Sequence, residues 1–440
     1  MNKLNVPGPK AQALIERDRK VVSASYPRAY AFAMDHGKGV EVWDVDGNRF
    51  IDMMAGIAVL STGHSHPRVV KAVQNAAEKF LHISSDFYHE DWVRLSEKLD
   101  EIAPFEEHAK TFLTNSGTEA VETAIKLAKY QTKRNKFIGF TGAFHGRTMG
   151  SLAFTSSKPH YQRGFHPLMP GVTHVPFPYE YRPIWERKTG EDYGETVVRH
   201  IEEEVFGHHV PGDEVAAVLV EPIQGEGGYV VPPKAFMKGL RELCDKHGIL
   251  LIFDEVQSGF GRTGKWFALE HFHVMPDIIT AAKGIASGMP LSGVFTSTDL
   301  MLKLDVGSVG GTYGGNALAC AAGVATIRAM RDEKMLENAN DMGVQLMTGL
   351  RKFQEEYPQI GDIRGLGLMI GTEFVDGGSQ VKAKPMVKNI IRSAEEKGML
   401  LLSCGTYDNT LRWIPPLNVT SEQINDGLKI FGEALKETIK

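Results

Sequence analysis

The chain has 440 residues, of which 42% are hydrophobic and 23% are charged, a composition that excludes wholesale disorder. Its 49 Lys and Arg residues against 54 Asp and Glu residues give a formal net charge of −5, which argues against a nucleic-acid or anionic-membrane partner. These properties indicate a protein that acts on small molecules, and the length suits one large domain with a smaller companion.

The first predicted element is a β-hairpin over residues 36–52, where an alternating run of residues reaches an Asp-Gly turn and returns. From about residue 66 to 325, short apolar runs alternate with stretches in which apolar residues recur every three or four positions. The runs KTFLTN, KFIGFTG, AAVLVEP and GILLIFDEV predict strands, and residues 119–130 and 233–247 predict helices. This alternation is typical of a parallel sheet that helices cover on both faces.

The pattern changes after about residue 326, where long amphipathic helices surround three short predicted strands. The three strand sequences are RGLGLMIGTEF, MLLLSCG and TLRWIPP. We therefore predict an α/β protein whose large domain covers residues 66–325. A smaller α+β domain is predicted from residues 326–440 together with the N-terminal segment, residues 1–65.

Ligands of parallel α/β sheets bind at the carboxyl ends of the strands, so polar residues at those positions are the first candidates. The strand KTFLTN runs directly into Ser116, Gly117, Thr118 and Glu119 at the start of a helix. Hydroxyl groups and free N–H groups at a helix start favour an anion. The alternative is an ordinary N-cap with a glutamate in the first helical turn.

A second strand end carries Asp254, directly after an aliphatic run that is expected to be buried. A buried carboxylate is costly unless it meets a cation or good hydrogen-bond donors, and a protonated heterocyclic nitrogen is one such partner. A structural ion pair or a cap for the following loop is the alternative.

The segment after Asp254 contains the pattern GxGxxG at Gly259, Gly261 and Gly264, which is formally a dinucleotide-binding fingerprint. Several residues separate the pattern from the strand, and bulky aromatic residues follow it where a phosphate-binding helix should begin. We therefore reject a nicotinamide site here.

A third strand end carries Lys283, which is flanked by alanine, glycine and isoleucine residues. Partial burial among such small residues would lower the lysine pKa, as a Schiff-base lysine requires. An exposed lysine at a strand end is the alternative. Together, an anion cradle, a buried acid and this lysine match the phosphate, ring nitrogen and aldehyde of pyridoxal phosphate.

Eight sequence blocks, in order, carry a resemblance that covers nearly the whole chain. The blocks are VWDVDGNRFIDMMAGIAVLSTGHSHP, NSGTEAVETAIKLAK, GAFHGRTMGSLA, VEPIQGEGGYVVPP, LLIFDEVQSGFGRTGKWFA, AAKGIASGMPLSGV, GTYGGNALACAA and LRWIPPL. The chain resembles the class III (subgroup II) pyridoxal-phosphate-dependent aminotransferases of fold type I. This resemblance implies a mostly parallel central sheet between helices, a smaller α+β domain, and a homodimer with shared active sites.

The resemblance also implies roles for individual residues around pyridoxal phosphate. Lys283 would form the Schiff base and move the proton, while Asp254 would pair with the ring nitrogen and Gln257 would reach the ring hydroxyl. Thr312 would donate to the phosphate in the neighbouring subunit. The implied cofactor-binding residues are Ser116, Gly117, Thr118, Phe144, His145, Asp254, Gln257, Lys283 and Thr312.

Substrate recognition is likewise implied by the resemblance, in which two arginines bind carboxylates. Arg147 and Arg412 correspond to these arginines, and a planar guanidinium suits bidentate capture of each end of a dicarboxylate. Glu226 would pair with Arg412 when the substrate lacks an α-carboxylate, and Glu221 would support Arg147. Ile57 would line the substrate pocket, and together with Arg147 it resembles the 4-aminobutyrate branch of the family.

The expected activity is a ping-pong transfer of the amino group of 4-aminobutyrate, or a similar ω-amino acid, to 2-oxoglutarate. A racemase or epimerase on the same scaffold, and a transaminase for ornithine, acetylornithine or a diamine, remain alternatives. A nicotinamide-dependent dehydrogenase and a catalytically idle binding protein are the rivals from other classes.

Cysteine and histidine residues add no metal or disulfide chemistry to this expectation. The three cysteines lie far apart without a CxxC pair, which favours free thiols in a reducing compartment. The histidines lack carboxylate or cysteine neighbours at a ligand spacing, so no metal is expected. The N-terminal residues contain no apolar run of the kind that a secretory signal needs. The longest aliphatic stretch, residues 249–253, is far shorter than the ~20 residues of a membrane helix. Both observations predict a cytoplasmic protein.

Overall fold

A computed structural model describes residues 3–376 and 383–439 of the chain. The α-helices in this part are α1 Pro9–Val21, α2 Ala55–Ala58, α3 Pro67–Ala77, α4 Glu90–Ile102, α5 Gly117–Thr132, α6 Met149–Phe154, α7 Tyr193–His200, α8 Phe206–His208, α9 Lys234–His247, α10 Thr298–Leu302, α11 Ala317–Asp332, α12 Met335–Glu356, α13 Lys384–Glu395 and α14 Ser421–Thr438. The strands are β1 Met34–Lys38, β2 Glu41–Asp44, β3 Arg49–Asp52, β4 Ala109–Thr114, β5 Lys136–Phe140, β6 Val172–Val175, β7 Val215–Val220, β8 Leu250–Asp254, β9 Ile278–Ala281, β10 Ser292–Ser297, β11 Ile360–Leu366, β12 Met369–Phe374, β13 Met399–Leu400, β14 Leu402–Cys404 and β15 Thr410–Trp413.

The central sheet has seven strands in the order β4-β10-β9-β8-β7-β5-β6. The pairs β9-β8, β8-β7, β7-β5 and β5-β6 are parallel, whereas β10 runs antiparallel to both β4 and β9. This confirms the predicted α/β class with a mostly parallel sheet.

Both faces of the central sheet are covered, as the continuous apolar strand β7 illustrates. Ala217 and Leu219 pack in one hydrophobic cluster with α5, while Val218 and Val220 pack in another with α9. Since successive side chains of a strand point to opposite faces, an uninterrupted apolar run is what a doubly covered strand requires. The predicted helices over residues 119–130 and 233–247 are confirmed as α5 and α9.

Two four-stranded sheets are built from the two ends of the chain, in the orders β1-β2-β3-β13 and β11-β12-β15-β14. The predicted hairpin is confirmed as the antiparallel pair β2-β3, and β1 adds a third strand to it. Strand β13 joins this sheet by pairing in parallel with β3, so Met399 lies opposite Ile51. Segments almost 350 residues apart in the sequence therefore share one sheet.

Two of the predicted C-terminal strands are wrong in detail. The run RGLGLMIGTEF forms two antiparallel strands, β11 and β12, because Gly365 (φ 140°) and Gly367 (φ 55°) take conformations that reverse the chain. The run MLLLSCG is also divided, since β13 pairs with β3 while β14 pairs with β15. Apolar content alone did not reveal either break.

The predicted domain boundaries at residues 65/66 and 325/326 stay predictions. Helix α11 runs without interruption through the second boundary and ends at Asp332. The three cysteines are buried and unpaired, as their spacing predicted; they are Cys244, Cys320 and Cys404. Within residues 3–376 and 383–439, none of the helices combines the length and the apolar character needed to cross a bilayer.

Candidate active site

Strands β4, β5, β7, β8 and β9 end at one edge of the central sheet, and the loops that follow them enclose a cavity of about 550 Å³. Parallel strands bring the polar residues that follow them to the same edge. Most of the site residues expected from the sequence line this cavity: Ser116, Gly117, Thr118, Phe144, His145, Arg147, Glu221, Asp254, Gln257 and Lys283.

The start of helix α5 forms one wall of the cavity. Ser116 is the N-cap, and the Glu119 carboxylate accepts hydrogen bonds from the N–H groups of Asn115 and Ser116 at 2.7 and 2.9 Å. The first N–H groups of a helix have no acceptor within the helix, and those of Gly117 and Thr118 lie at the cavity. A Cβ on Gly117 would lie 2.9 Å from the Val256 side chain. This helix start can bind an anion such as a phosphate.

Asp254 lies at the end of β8, with 3% of its surface exposed. Its Oδ2 lies 2.7 Å from His145 Nδ1, and its Oδ1 accepts from the Val256 N–H at 3.0 Å and the Thr280 hydroxyl at 3.2 Å. His145 Nε2 is buried without a partner among the described residues. These contacts therefore hold the carboxylate in one orientation beside the cavity. A buried carboxylate needs such donors or a cationic partner, because burial without them is costly.

Lys283 follows β9 and begins a short 3₁₀ turn with φ 46°, in the left-handed region. That conformation costs a non-glycine residue roughly 1–2 kcal/mol, and such strain clusters at functional sites. Burial lowers the pKa of the Lys283 amine to about 8, although the charge of Glu226 acts in the opposite direction. This lowering favours the neutral amine, which is the form that acts as a nucleophile or base.

Gln257 and Glu221 supply two further buried polar groups. Gln257 Oε1 has no hydrogen-bond partner within the part of the chain that the structure describes. Burial, followed by the charge of Asp254, raises the pKa of the Glu221 carboxyl well above its usual range. The Glu221 carboxyl accepts from the N–H groups of Phe144 at 3.4 Å and Gly225 at 3.2 Å. Within the described residues no ion pair joins Glu221 to Arg147, and the expected support of Arg147 by Glu221 stays a prediction.

Arg147 is exposed at the mouth of the cavity. Its guanidinium carbon lies 5.2 Å from the ring centre of Phe144 and 5.0 Å from that of Tyr161. Among residues 3–376 and 383–439 it forms no ion pair. A guanidinium that is oriented by aromatic rings and has no acidic partner is available for a carboxylate.

Arg412 and Glu226 form a buried ion pair near Lys283, whose pKa both charges influence. Arg412 Nη1 lies 2.5 Å from Glu226 Oε1, and Arg412 Nε and Nη2 donate to the Ser403 carbonyl at 3.1 and 2.8 Å. Burial is the largest single effect and raises the pKa of Glu226, but the charge and hydrogen bonds of Arg412, together with the charges of Lys283 and Lys158, leave the pKa lowered. Both groups are therefore charged at neutral pH.

Four expected site residues, Ile57, Glu226, Thr312 and Arg412, are not among the residues that line this cavity. Thr312 is exposed in the loop before α11. Ile57 is 40% exposed in the left-handed turn α2, where Ala55, Ile57 and Ala58 all have positive φ. Their expected roles stay predictions.

The cavity also contains residues that the sequence analysis did not single out, including Tyr26, Val59, Val256 and Met289. Tyr26 comes from the segment between α1 and β1, far from the central sheet in sequence. These side chains are aromatic or apolar and lie in loops. A search for acids, bases and hydroxyls at strand ends has no means of finding them.

Three of the histidines, His64, His66 and His271, form ordinary contacts with neighbouring side chains or backbone. His64 pairs with Asp52 at 2.8 Å and His66 with Glu333 at 3.1 Å, while His271 bonds to the Thr263 carbonyl at 3.1 Å. In the described ranges, no group of three or more His, Cys, Asp or Glu side chains is placed to hold a metal ion.

The GxGxxG segment forms turns between β8 and the 3₁₀ helix Ala268–His271, with Gly261 and Gly264 at φ 82° and 83°. The phosphate-binding helix of a dinucleotide site does not begin there.

The donor set at the cavity fits pyridoxal phosphate. The helix start has N–H groups that could bind a phosphate, the Asp254 carboxylate lines the cavity where it could pair with a cationic ring nitrogen, and burial lowers the pKa of the Lys283 amine to about 8. His145 Nε2 and Gln257 Oε1 are buried polar atoms without partners in the described residues, as expected where a polar ligand completes the contacts.

Comparison with known proteins places this geometry in a family. The family model for class-III aminotransferases matches residues 22–435. The chain is 42% identical to the alanine/serine racemase of Pyrococcus horikoshii, over 98% of this chain and 92% of that protein. It is 40% identical to the 4-aminobutyrate aminotransferase GabT of Escherichia coli, over 96% of this chain and 98% of that protein. Among solved structures, an (S)-enantioselective omega-transaminase from Thermomicrobium roseum superposes with a TM-score of 0.89 and 32% identity, over 98% of this chain and 99% of that chain.

Proposed function

The chain belongs to the class-III aminotransferase family, and from this premise we propose that it transfers the amino group of 4-aminobutyrate, or of a similar ω-amino acid, to 2-oxoglutarate. The aminotransferase activity follows from the family. The observation that supports this pair of substrates is the Arg412–Glu226 ion pair, whose charges act on Lys283, together with Arg147, which lines the cavity and forms no ion pair within the described residues.

Pyridoxal phosphate, when bound, supplies an aldehyde that condenses with amines and a ring that accepts electrons from the reacting carbon. The residues that would hold it are Ser116, Gly117, Thr118, Phe144, His145, Asp254, Gln257 and Lys283. The N–H groups of Gly117 and Thr118 would bind its phosphate, and the Asp254 carboxylate, held by the Val256 N–H, would keep its ring nitrogen protonated.

Lys283 performs the proton transfer in this proposal. Its Nζ would take the proton from the substrate carbon and hold it at the cavity. A base whose pKa is close to the working pH suits this role, and burial brings the Lys283 pKa to about 8.

The two arginines distinguish a substrate with one carboxylate from a substrate with two. Arg147 binds the single carboxylate of 4-aminobutyrate, while Glu226 neutralises Arg412. When 2-oxoglutarate or glutamate binds, its α-carboxylate replaces Glu226 on Arg412. An unneutralised arginine in a buried site would be costly, which is why the same pocket needs Glu226 for the first substrate.

We expect Glu226→Ala to lower kcat/KM for the 4-aminobutyrate half-reaction about tenfold or more, because Arg412 is then left unpaired. The glutamate half-reaction should change less than about threefold, since the substrate itself pairs with Arg412. Stopped-flow absorbance of the bound cofactor measures both half-reactions.

Glu191→Ala is the matched control for Glu226→Ala. Glu191 pairs with Arg199, and its side chain is 13% exposed against 12% for Glu226, but it lies on the loop before α7. This control should leave the ratio of the two half-reactions unchanged. Equal losses of both half-reactions in Glu226→Ala would contradict the proposed exchange.

Amino-acid racemisation is the second candidate function, and the 42% identity to an alanine/serine racemase favours it. Incubation of the holoenzyme with a panel of amino donors and 2-oxoglutarate tests the first function. Chiral chromatography of single amino acids, incubated without any acceptor, tests the second. In the first experiment we expect 2-oxoglutarate to be converted to glutamate when 4-aminobutyrate is the donor. In the second we expect the enantiomeric composition of each amino acid to stay unchanged. Racemisation without glutamate formation would assign the racemase function instead. Higher rates with ornithine, acetylornithine or a diamine than with 4-aminobutyrate would identify the protein as a transaminase for that donor.

We also propose a homodimer whose active sites are shared, with Thr312 donating to the phosphate in the partner subunit's site. Support comes from an exposed apolar patch beside Thr312, formed by Phe80, Leu81, Phe87, Tyr88 and Tyr313. The Asn316 amide donates to the Leu81 carbonyl at 3.0 Å and so joins the two segments that carry these residues. Large exposed apolar patches mark interaction surfaces, and a second copy of the chain would cover this one.

A further inference from the structure

Three residues of the C-terminal sheet lie in one row across neighbouring strands. Arg364 on β11 lies opposite Gly371 on β12, and Gly371 lies opposite Arg412 on β15. The row thus has a guanidinium on each side and no side chain in its centre.

The loop that carries Glu226 packs on this row. A Cβ on Gly371 would come within 3.1 Å of the Gly228 carbonyl oxygen and of Tyr229 Cβ, a tight contact that the loop could relieve only by shifting a few tenths of an ångström. On one side of Gly371, Arg412 binds the Glu226 carboxylate. On the other side, Arg364 Nε and Nη2 both donate to the Gly228 carbonyl, at 3.0 and 2.5 Å.

The backbone of this loop is therefore fixed on both sides of the Glu226 side chain. The Glu226 carbonyl accepts from the Gly405 N–H at 2.9 Å, and the Gly228 N–H donates to the Gly225 carbonyl at 3.1 Å. With its main chain held in this way, Glu226 can leave Arg412 only by moving its side chain.

Arg364 is itself held by several groups. Its Nη1 donates to the Asp362 carboxylate at 2.7 Å, its Nη2 lies 2.9 Å from Glu373 Oε2, and its guanidinium carbon lies 4.7 Å from the ring centre of Tyr179. Glu373 is 2% exposed and also accepts from Arg182 Nε at 2.7 Å. Such a network leaves Arg364 one orientation, with two N–H groups aimed at one carbonyl oxygen. A lysine could not reproduce that geometry.

We propose that Arg364 is a positioning residue for substrate selection: by anchoring the Gly228 carbonyl, it keeps the Glu226 carboxylate on Arg412 until an α-carboxylate arrives. This proposal rests on the proposed function, in which Glu226 and the α-carboxylate alternate on Arg412. Arg364 thereby sets the balance between substrates with one carboxylate and ligands with two.

Arg364→Met tests the proposal, because it keeps much of the side-chain volume and removes every donor. Without the Arg364 side chain, Glu226 is held less firmly on Arg412. The variant should therefore use 4-aminobutyrate less efficiently and bind a dicarboxylate more tightly. We expect kcat/KM for the 4-aminobutyrate half-reaction to fall about tenfold, and glutarate, an unreactive dicarboxylate, to bind roughly five- to tenfold more tightly to the holoenzyme by calorimetry. A residue that only stabilises the fold would weaken both.

Arg134→Met is the matched control, since Arg134 Nη1 donates to the carbonyls of Val215, His247 and Gly248, each at 3.0 Å, away from the cavity. It should leave glutarate affinity and the half-reaction ratio unchanged. Arg364→Lys serves as the milder variant if Arg364→Met does not fold, and it should show smaller shifts in the same two directions.

Unchanged or weaker glutarate binding in a folded Arg364 variant would overturn the proposal. The glutarate measurement needs no turnover and therefore reads the Glu226–Arg412 contact directly. If the unmodified enzyme fails to convert 4-aminobutyrate, that result counts against the proposed donor and leaves the glutarate comparison to decide the role of Arg364.

Discussion

Replacing Lys283 by alanine should lower kcat by about four orders of magnitude or more, because the variant loses both the amine that attacks the cofactor aldehyde and the base that moves the proton. The position supports this expectation. Lys283 lies in the cavity after β9, in a left-handed conformation, and burial brings its pKa to about 8. Steady-state turnover measures the loss, and intact-mass analysis after borohydride treatment measures whether the cofactor has become attached to the chain.

Lys397→Ala separates the chemistry of Lys283 from the loss of a buried lysine in general. Lys397, in the turn after α13, is 7% exposed and pairs with Glu437 on α14 at 2.7 Å, away from the cavity. We expect this control to lower the unfolding temperature and to keep kcat. Multiple turnovers by Lys283→Ala, at a rate near that of the unmodified enzyme, would remove Lys283 from the mechanism.

Asp254→Asn should reduce kcat by about three orders of magnitude while the fold is retained. Asparagine still accepts from the Val256 N–H and the Thr280 hydroxyl, so the local structure survives. The neutral amide, however, no longer keeps a ring nitrogen protonated, and the ring then accepts electrons poorly. The rate of a single half-reaction and the absorbance of the bound cofactor together measure this effect.

Asp277→Asn is the control for Asp254→Asn. The Asp277 carboxylate accepts from the Leu251 N–H at 2.7 Å and pairs with Arg241 at 2.8 Å, near the start of the same strand, β8. Its substitution should weaken stability without changing kcat. Activity close to the unmodified level in Asp254→Asn would refute the assigned role of this carboxylate.

The parts of the site that the sequence predicted are those in which a local pattern breaks. Asp254 follows an apolar run, and Lys283 follows a strand and precedes a glycine, so a charged group stands where burial was expected. The anion cradle was predictable because the N-cap pattern from Ser116 to Glu119 is contained in consecutive residues.

Contacts between distant segments could not be predicted from local patterns. Arg412 and Glu226 are 186 residues apart, and their pairing was expected only from the resemblance to a family. The anchoring of Gly228 by Arg364 joins residues 136 apart in the sequence, and the hydrogen bond from the Phe144 N–H to Glu221 joins residues 77 apart, which no periodicity encodes. The hairpin of β11 and β12 was missed because the reversal depends on the conformations of two glycines rather than on polarity.

The parallel pairing of β13 with β3 has a consequence for synthesis of the protein. The backbone edge of β3 that β13 covers, at Ile51 and Asp52, has no partner until residues 399 and 400 have left the ribosome. An uncovered strand edge is a template for aggregation, and chains grow at only about 5–20 residues per second. The nascent N-terminal segment therefore passes most of translation with an open edge, and a chain truncated before residue 399 keeps that edge permanently.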